Sequence, residues 1–333
     1  MLFLSTDTLT GWLDRLAQEK TLIAPRDVGG VLLYRPVASS ADIVWNFTRP
    51  VMSIKDAFFP ATERLLTIEK TGQQIKLIET LPDREQVIFG VRPCDARGLR
   101  ALDALFLETE PVDVYYARRR SHTTLIGLAC REMGESCFCT SVGGAPDDPQ
   151  DVDLMLTAVD GGYAVEIVTE KGRALLSEIT LTERSGARPE LVLNDPLPIP
   201  AAEAWPALFD SATWADVAER CLSCRVCAYV CPTCRCFDVR DESTGNGHYE
   251  RLRCWDSCAG EAYRRIAGGH NPRAAQGDRL RNRFFCKFHY YPAQYGADAC
   301  TGCGRCIDAC PVNIDITEVL ATVAALAAQE VTA

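Results

Sequence analysis

The chain has 333 residues, 47% of them apolar, and a formal net charge of −10, a length that fits two domains with a core in each. The acidic balance excludes nucleic acid or an anionic membrane surface as the main partner. Cysteine is the outlier at 17 residues, and the opening MLFLSTDTLT lacks a basic n-region, an apolar h-region and a small-residue cleavage site, so a cytoplasmic chain with metal or redox chemistry at its thiols is expected.

Leu9, Trp12, Leu13 and Leu16 recur at helical spacing behind Asp7 and Thr8, which are placed to cap, so the chain opens on an amphipathic helix. Residues 21–24 and 31–34 read as strands around Asp27-Val-Gly-Gly30, and 65–70 pairs with 74–79 across Thr71-Gly72. The apolar strand 86–91 then runs through Arg92-Pro-Cys94-Asp95 into a helix with Leu99, Leu102, Leu105 and Phe106 on one face. A second buried strand, 124–129, ends at Cys130. Strand, helix and strand of this length make a crossover unit, which brings Cys94 and Cys130 to one edge of a sheet. Cys94 also opens a helix, where the dipole favours a thiolate. Cys137-Phe-Cys139 follows, ahead of the flexible Gly143-Gly-Ala-Pro146. Cys94, Cys130, Cys137 and Cys139 are the only cysteines in the first 220 residues, and converging loops would let them bind a 4Fe-4S cluster. Zinc is the rival ligand, and buried free thiols the bland alternative, although a C-x-C pair in a Gly- and Pro-rich loop is not core-like.

Residues 153–159 and 163–169 form a hairpin across Asp160-Gly-Gly162, and 171–179 reads as a helix. The closely spaced prolines of Pro196-Leu-Pro-Ile-Pro200 make a stiff linker, dividing a mixed α/β domain over 1–195 from a second domain over 201–333. A short helix, 212–220, leads into Cys221-Leu-Ser-Cys224-Arg-Val-Cys227-Ala-Tyr-Val-Cys231-Pro232, which is answered by Cys300-Thr-Gly-Cys303-Gly-Arg-Cys306-Ile-Asp-Ala-Cys310-Pro311. Both runs read C-x2-C-x2-C-x3-C-P. In that spacing three thiolates on a tight loop cap three corners of a cubane, and the fourth is carried on to the partner cluster. Cys221, Cys224, Cys227 and Cys310 are therefore expected to hold one 4Fe-4S cluster, and Cys300, Cys303, Cys306 and Cys231 another. A zinc ribbon needs only two C-x2-4-C knuckles and gives the fourth cysteine and proline no role.

The 68 residues between Cys231 and Cys300 exceed what a minimal ferredoxin uses and are expected to add helices, one over 256–266 stopped by Gly268-Gly269. From Arg251 to Lys287 nine Lys or Arg face three Asp or Glu, and Arg118-Arg-Arg120 forms a second basic run. Arginines close to an anionic cluster would stabilise it; the alternative is a solvated basic face. Cys234, Cys236, Cys254, Cys258 and Cys286 are left over, as extra ligands, as ligands of another metal, or as small hydrophobes packed beside a cluster. His122, His248, His270 and His289 show no ligand-like pairing. Asp315-Ile-Thr-Glu318 reads as a capping box for a closing helix to about residue 329. No uncharged apolar run is long enough to span a bilayer. Dinucleotide, P-loop and nucleophile-elbow motifs are lacking, so neither a flavin nor a nucleotide is expected on this chain, and no residue is assigned to catalysis. The fold class read from this pattern is α+β, a mixed α/β N-terminal domain followed by an elaborated bacterial-type two-cluster ferredoxin-like domain.

Phe89-Gly-Val-Arg-Pro-Cys94-Asp95, Leu102-Asp103, Asp113 with Tyr115-Tyr116, Leu128-Ala-Cys130 and Cys137-Phe-Cys139 resemble the 4Fe-4S dicluster subunits of cytosolic sulfhydrogenases and anaerobic sulfite reductases. So do Cys231-Pro-Thr-Cys234-Arg-Cys236-Phe-Asp238, Trp255-Asp-Ser-Cys258 and Gly268-Gly-His-Asn-Pro-Arg273, and the resemblance runs from about residue 20 to 318. It implies an electron-transfer subunit of an oxidoreductase complex, of the sulfhydrogenase beta or sulfite reductase A type. It further implies one partner similar to a ferredoxin reductase, with flavin and an NAD(P)H site, and a catalytic partner carrying nickel-iron or siroheme. Cys254 and Cys286 fall outside the pattern. The reading from a different class is a catalytic or redox-sensing subunit with an atypical cluster near Cys234, Cys236 and Cys258.

Overall fold

The computed structural model describes residues 1–186, 189–263 and 265–332. β1 (Leu2–Ser5) runs straight into α1 (Thr6–Glu19), so the cap is the last strand residue: Ser5 Oγ accepts the Thr8 N–H at 3.2 Å, in place of the expected Asp7 or Thr8. Leu9, Trp12, Leu13 and Leu16 are buried as their spacing predicts. β2 (Thr21–Val28) and β3 (Val31–Pro36) form a hairpin turned at Gly29 and Gly30, both at positive φ. After α2 (Lys55–Phe58) come the hairpin strands β4 (Thr62–Thr71) and β5 (Gln74–Glu79). β6 (Gln86–Val91) leads into α3 (Pro93–Phe106), whose first-turn proline has a φ already set for a helix. α4 (Val114–Ser121) is capped by Asp113 and feeds β7 (Thr123–Leu128). β8 (Leu154–Val159), β9 (Gly162–Ile167), α5 (Glu170–Leu175) and β10 (Thr182–Glu183) complete this half.

The larger sheet has the order β10-β1-β9-β8-β7-β6-β2-β3. β2, β6, β7 and β8 are parallel neighbours, and antiparallel strands flank them on both sides. The crossover from β6 through α3 and α4 to β7 is the unit expected from sequence, and it delivers Cys94 and Cys130 beyond the carboxyl ends of adjacent strands. One face of the sheet is closed by α1 over Leu4, Leu22, Val87 and Ile126. The other is closed by Phe58, Phe59, Leu99, Leu102, Phe106 and Tyr116. Burying each such side chain is worth about 1.5–3 kcal/mol.

The second half holds α6 (Thr213–Glu219), α7 (Val226–Tyr229), β11 (Phe237–Gly245), β12 (His248–Trp255) and α8 (Gln276–Phe285). A single π-turn over Cys286–Tyr290, then α9 (Tyr291–Tyr295), α10 (Arg305–Asp308) and α11 (Ile316–Thr332) complete the chain. The core of this half gathers Trp205, Trp214, Phe284, Phe285, Leu320 and Val323. Its hairpin does not stand alone: β12 pairs with β4, giving a second sheet of order β11-β12-β4-β5 drawn from both halves. Arg253 of β12 is buried against Glu63 of β4 and Asp113. The helix expected over 256–266 is absent among the described residues, which run as turns and bends. Asp256 Oδ1 takes the Ser257 N–H and Ser257 Oγ the Ala259 N–H, local bonds that compete with a helix. Among the described residues no helix is long and apolar enough to cross a membrane.

Candidate metal centres

The two long cysteine runs fold alike. Ser223 and Arg225 in the first have positive φ, and so do Gly302 and Gly304 at the same steps of the second. Each left-handed pair curls the loop around its first three cysteines before a one-turn helix, α7 or α10, and these helices pack together. The glycines of the second run answer a further demand. A Cβ on Gly302 would meet Cys139 N at 2.5 Å, and one on Gly304 would meet Ser136 O at 2.3 Å. The loop bearing Cys137 and Cys139 therefore lies directly on the second run, tied by Phe138 N–H to Gly302 O at 2.8 Å.

Two cavities result. One is lined by Cys94, Cys130, Cys137 and Cys139, the four N-terminal cysteines predicted to converge, and also by Cys303. The other is lined by Cys231, Cys300, Cys303 and Cys306, the crossed set in which the first run lends its fourth cysteine to the second. Cys303 is common to both, so the cavities share a wall. Cys221, Cys227 and Cys310 are half-buried and Cys224 is exposed, and neither of these cavities is lined by any of the four.

Cationic groups reach these sulfurs from positions scattered in the sequence. Arg49 Nη1 donates to Cys137 Sγ at 3.1 Å while its other nitrogen binds Ser136 Oγ at 2.6 Å. Lys287 Nζ donates to Cys231 Sγ at 3.1 Å, and Cys231 is held well below its ordinary range by the Cys234 thiol and, less, by Lys287. Arg283 is 5% exposed, lies among Cys227, Cys306, Cys234 and Cys231, and leaves Nε and Nη2 without a partner. Buried N–H donors without acceptors are costly, and the sulfide and thiolate acceptors of a cluster would satisfy them. Among the described residues no three His, Cys, Asp or Glu side chains close on a point at the spacing of a single ion.

Burial, then neighbouring Asp95, push the Cys94 thiol well above its ordinary range, against the pull expected of the α3 N-terminus. Burial likewise pushes Cys139 up to about 11 and Cys300 up to about 12. The Arg118–Arg120 run does not serve the cysteines: Arg118 pairs with Asp83, Arg119 with Glu63 and Arg120 with Asp103. Arg49 carried no signal in the sequence, whereas Arg283 and Lys287 lie in the basic stretch whose burial composition alone could not decide. Cys254 lies within β12 opposite Asp238 and Thr62, away from the cavities described. Cys234, Cys236, Cys258 and Cys286 line a separate pocket.

Residues 220–314 match the 4Fe-4S dicluster domain family, which brings two 4Fe-4S clusters to this chain. The chain is also 30% identical over 325 residues, 92% of its length and 93% of the relative's, to sulfhydrogenase 2 subunit beta of Pyrococcus furiosus. No solved structure matches it. With clustered cysteines, repeated loops and a similarity that spans nearly the whole chain, the protein belongs to the 4Fe-4S dicluster family of sulfhydrogenase beta subunits.

Proposed function

We propose that this chain is a non-catalytic, cytoplasmic electron-transfer subunit, relaying single electrons between a flavin- and NAD(P)H-linked partner and a catalytic subunit of hydrogenase or sulfite reductase type. Bound 4Fe-4S clusters supply one-electron redox centres. In this reading Cys221, Cys224, Cys227 and Cys310 hold one cluster, Cys300, Cys303, Cys306 and Cys231 a second, and Cys94, Cys130, Cys137 and Cys139 a third. Residues 201–333 carry the first two and residues 1–195 the third, with no flavin or nucleotide on this chain. The observation that carries the reading is the wall shared at Cys303, since it sets two cysteine cavities side by side, close enough for electrons to pass between the groups they would hold. Arg49 and Lys287 donate N–H groups to Cys137 and Cys231, and Arg283 bonds Cys306, where hydrogen bonds and charge set potentials.

Iron and acid-labile sulfide on anaerobically prepared protein test the reading, with zinc measured on the same sample. The expected result is about twelve iron per chain, four for each of three cubanes, and no zinc. About eight iron would confine the path to the second half and leave Cys94, Cys130, Cys137 and Cys139 without a cluster.

A further inference from the structure

The relay described above uses twelve cysteines and leaves a pocket unexplained. It has a volume of about 340 Å³, and Cys234, Cys236, Cys258 and Cys286 line it. Arg235, Arg273, Arg283 and Lys287 also face it, and among the described residues lining it none is an Asp or Glu. Within it the Cys258 thiol, only 7% exposed, is in hydrogen-bond contact with Cys236.

The backbone holds these two sulfurs together. Cys236 immediately precedes β11 and Cys258 lies three residues beyond β12. Phe237 pairs with Trp255 at the mouth of that hairpin, and Asp256 N–H donates to Cys236 O at 2.9 Å. A turn closed by Gly260 N–H on Ser257 O at 2.8 Å then fixes Cys258. The pocket also touches the cluster path. Lys287 lines both it and the cavity of Cys231, Cys300, Cys303 and Cys306, and its Nζ stands 3.1 Å from Cys231 Sγ and 3.7 Å from Cys234 Sγ. Arg235 Nη2 reaches Cys286 Sγ at 3.7 Å. Four cations line this pocket of four thiols, and Arg283 is the one that acts on Cys258; a sulfur pair that takes on negative charge is stabilised by such neighbours.

We propose that Cys236 and Cys258 are a redox-active pair that interconverts between dithiol and disulfide, exchanging two electrons and two protons with the iron-sulfur clusters of the same chain. The inference rests on the relay reading above. In the reducing direction the first electron, taken from a reduced cluster, gives a disulfide radical anion, whose charge Arg283 offsets. The second electron breaks the S–S bond, and one proton is added to each sulfur. In the oxidising direction the S–S bond forms, two electrons return singly to oxidised clusters, and two protons leave through the pocket. The pair thus stores together the two electrons that cubanes pass one at a time.

The test uses the anaerobic holoprotein poised at a series of potentials with dye mediators, quenched in acid, alkylated, digested and mapped by mass spectrometry. The expected result is a Cys236–Cys258 cross-linked peptide at the oxidising end, replaced by two alkylated peptides at the reducing end along a two-electron Nernst curve. Cys236→Ser and Cys258→Ser should each abolish the cross-link and remove two electron equivalents per chain from the reductive titration, with iron content unchanged. Alkylation of both cysteines at every potential would overturn the proposal, as would a cross-link that survives full cluster reduction. Loss of iron in either variant would instead make these residues cluster ligands. The wild-type map needs no variant to fold, and the iron count of that sample reports separately on the relay reading.

Discussion

Asp95 lies in the first turn of α3, next to Cys94, and its side chain is fully buried. Arg305, between Cys303 and Cys306 in the second run, is 2% exposed and grips it with two bonds of 2.5 and 2.8 Å. Tyr34 also donates to Asp95, and Arg305 Nε binds Pro50 O at 2.9 Å, so the pair is fully supplied with partners. Such a pair contributes little net stability over an apolar replacement, but removing one partner strands a buried charge at about 3–5 kcal/mol. Asp95→Asn or Arg305→Met alone should lower the stability of the holoprotein by about that amount in a denaturant melt. The double replacement should recover part of the loss. Asp95 was visible in the sequence only as the residue after Cys94, because nothing local says that its partner is 210 residues away.

At the scale of elements, the second cysteine run uses glycine where the first uses Ser223 and Arg225, and the difference is one of contact. Both loops need left-handed backbone at these steps, which costs a residue with a Cβ about 1–2 kcal/mol. Only Gly302 and Gly304 also lie under another loop. Gly304→Ala should therefore be more disruptive than its backbone cost, pushing the Ser136–Cys139 loop away. On the three-cluster proposal, iron analysis should show that about four iron per chain are lost from the N-terminal site first. Ser223→Gly should leave iron unchanged and raise the melting temperature. The cysteine runs were legible because their chemistry is local, set by spacings of two and three residues. The β11–β12 hairpin was not: its first strand is largely exposed and mixes Arg, Asp, Glu, Ser and Thr, with no apolar alternation to announce a sheet. The crossover unit was legible because Val87, Ile88 and Phe89 are apolar without interruption, as a strand covered on both faces must be.

Across the whole molecule the halves are interlocked, by β12 on β4, by Arg305 on Asp95, and by the Cys137 loop on Gly302 and Gly304. The thiols sit along these seams, and this couples cluster loading to pH. In the metal-free fold, burial holds Cys139 at about 11 and Cys300 at about 12, above the thiol value of about 8.5 in an unfolded chain. A raised folded-state pKa favours the fold fully below the unfolded value and loses that contribution as pH rises through the folded one. The apoprotein should therefore melt at progressively lower temperature from about pH 8.5 towards pH 11. Loaded protein, whose ligating sulfurs carry no proton, should lack that slope. Parallel melts of chelator-treated and reconstituted protein across this range give the comparison. Equal slopes would mean that these thiols are not covered by iron, and the seam between the halves would then be closed by packing alone.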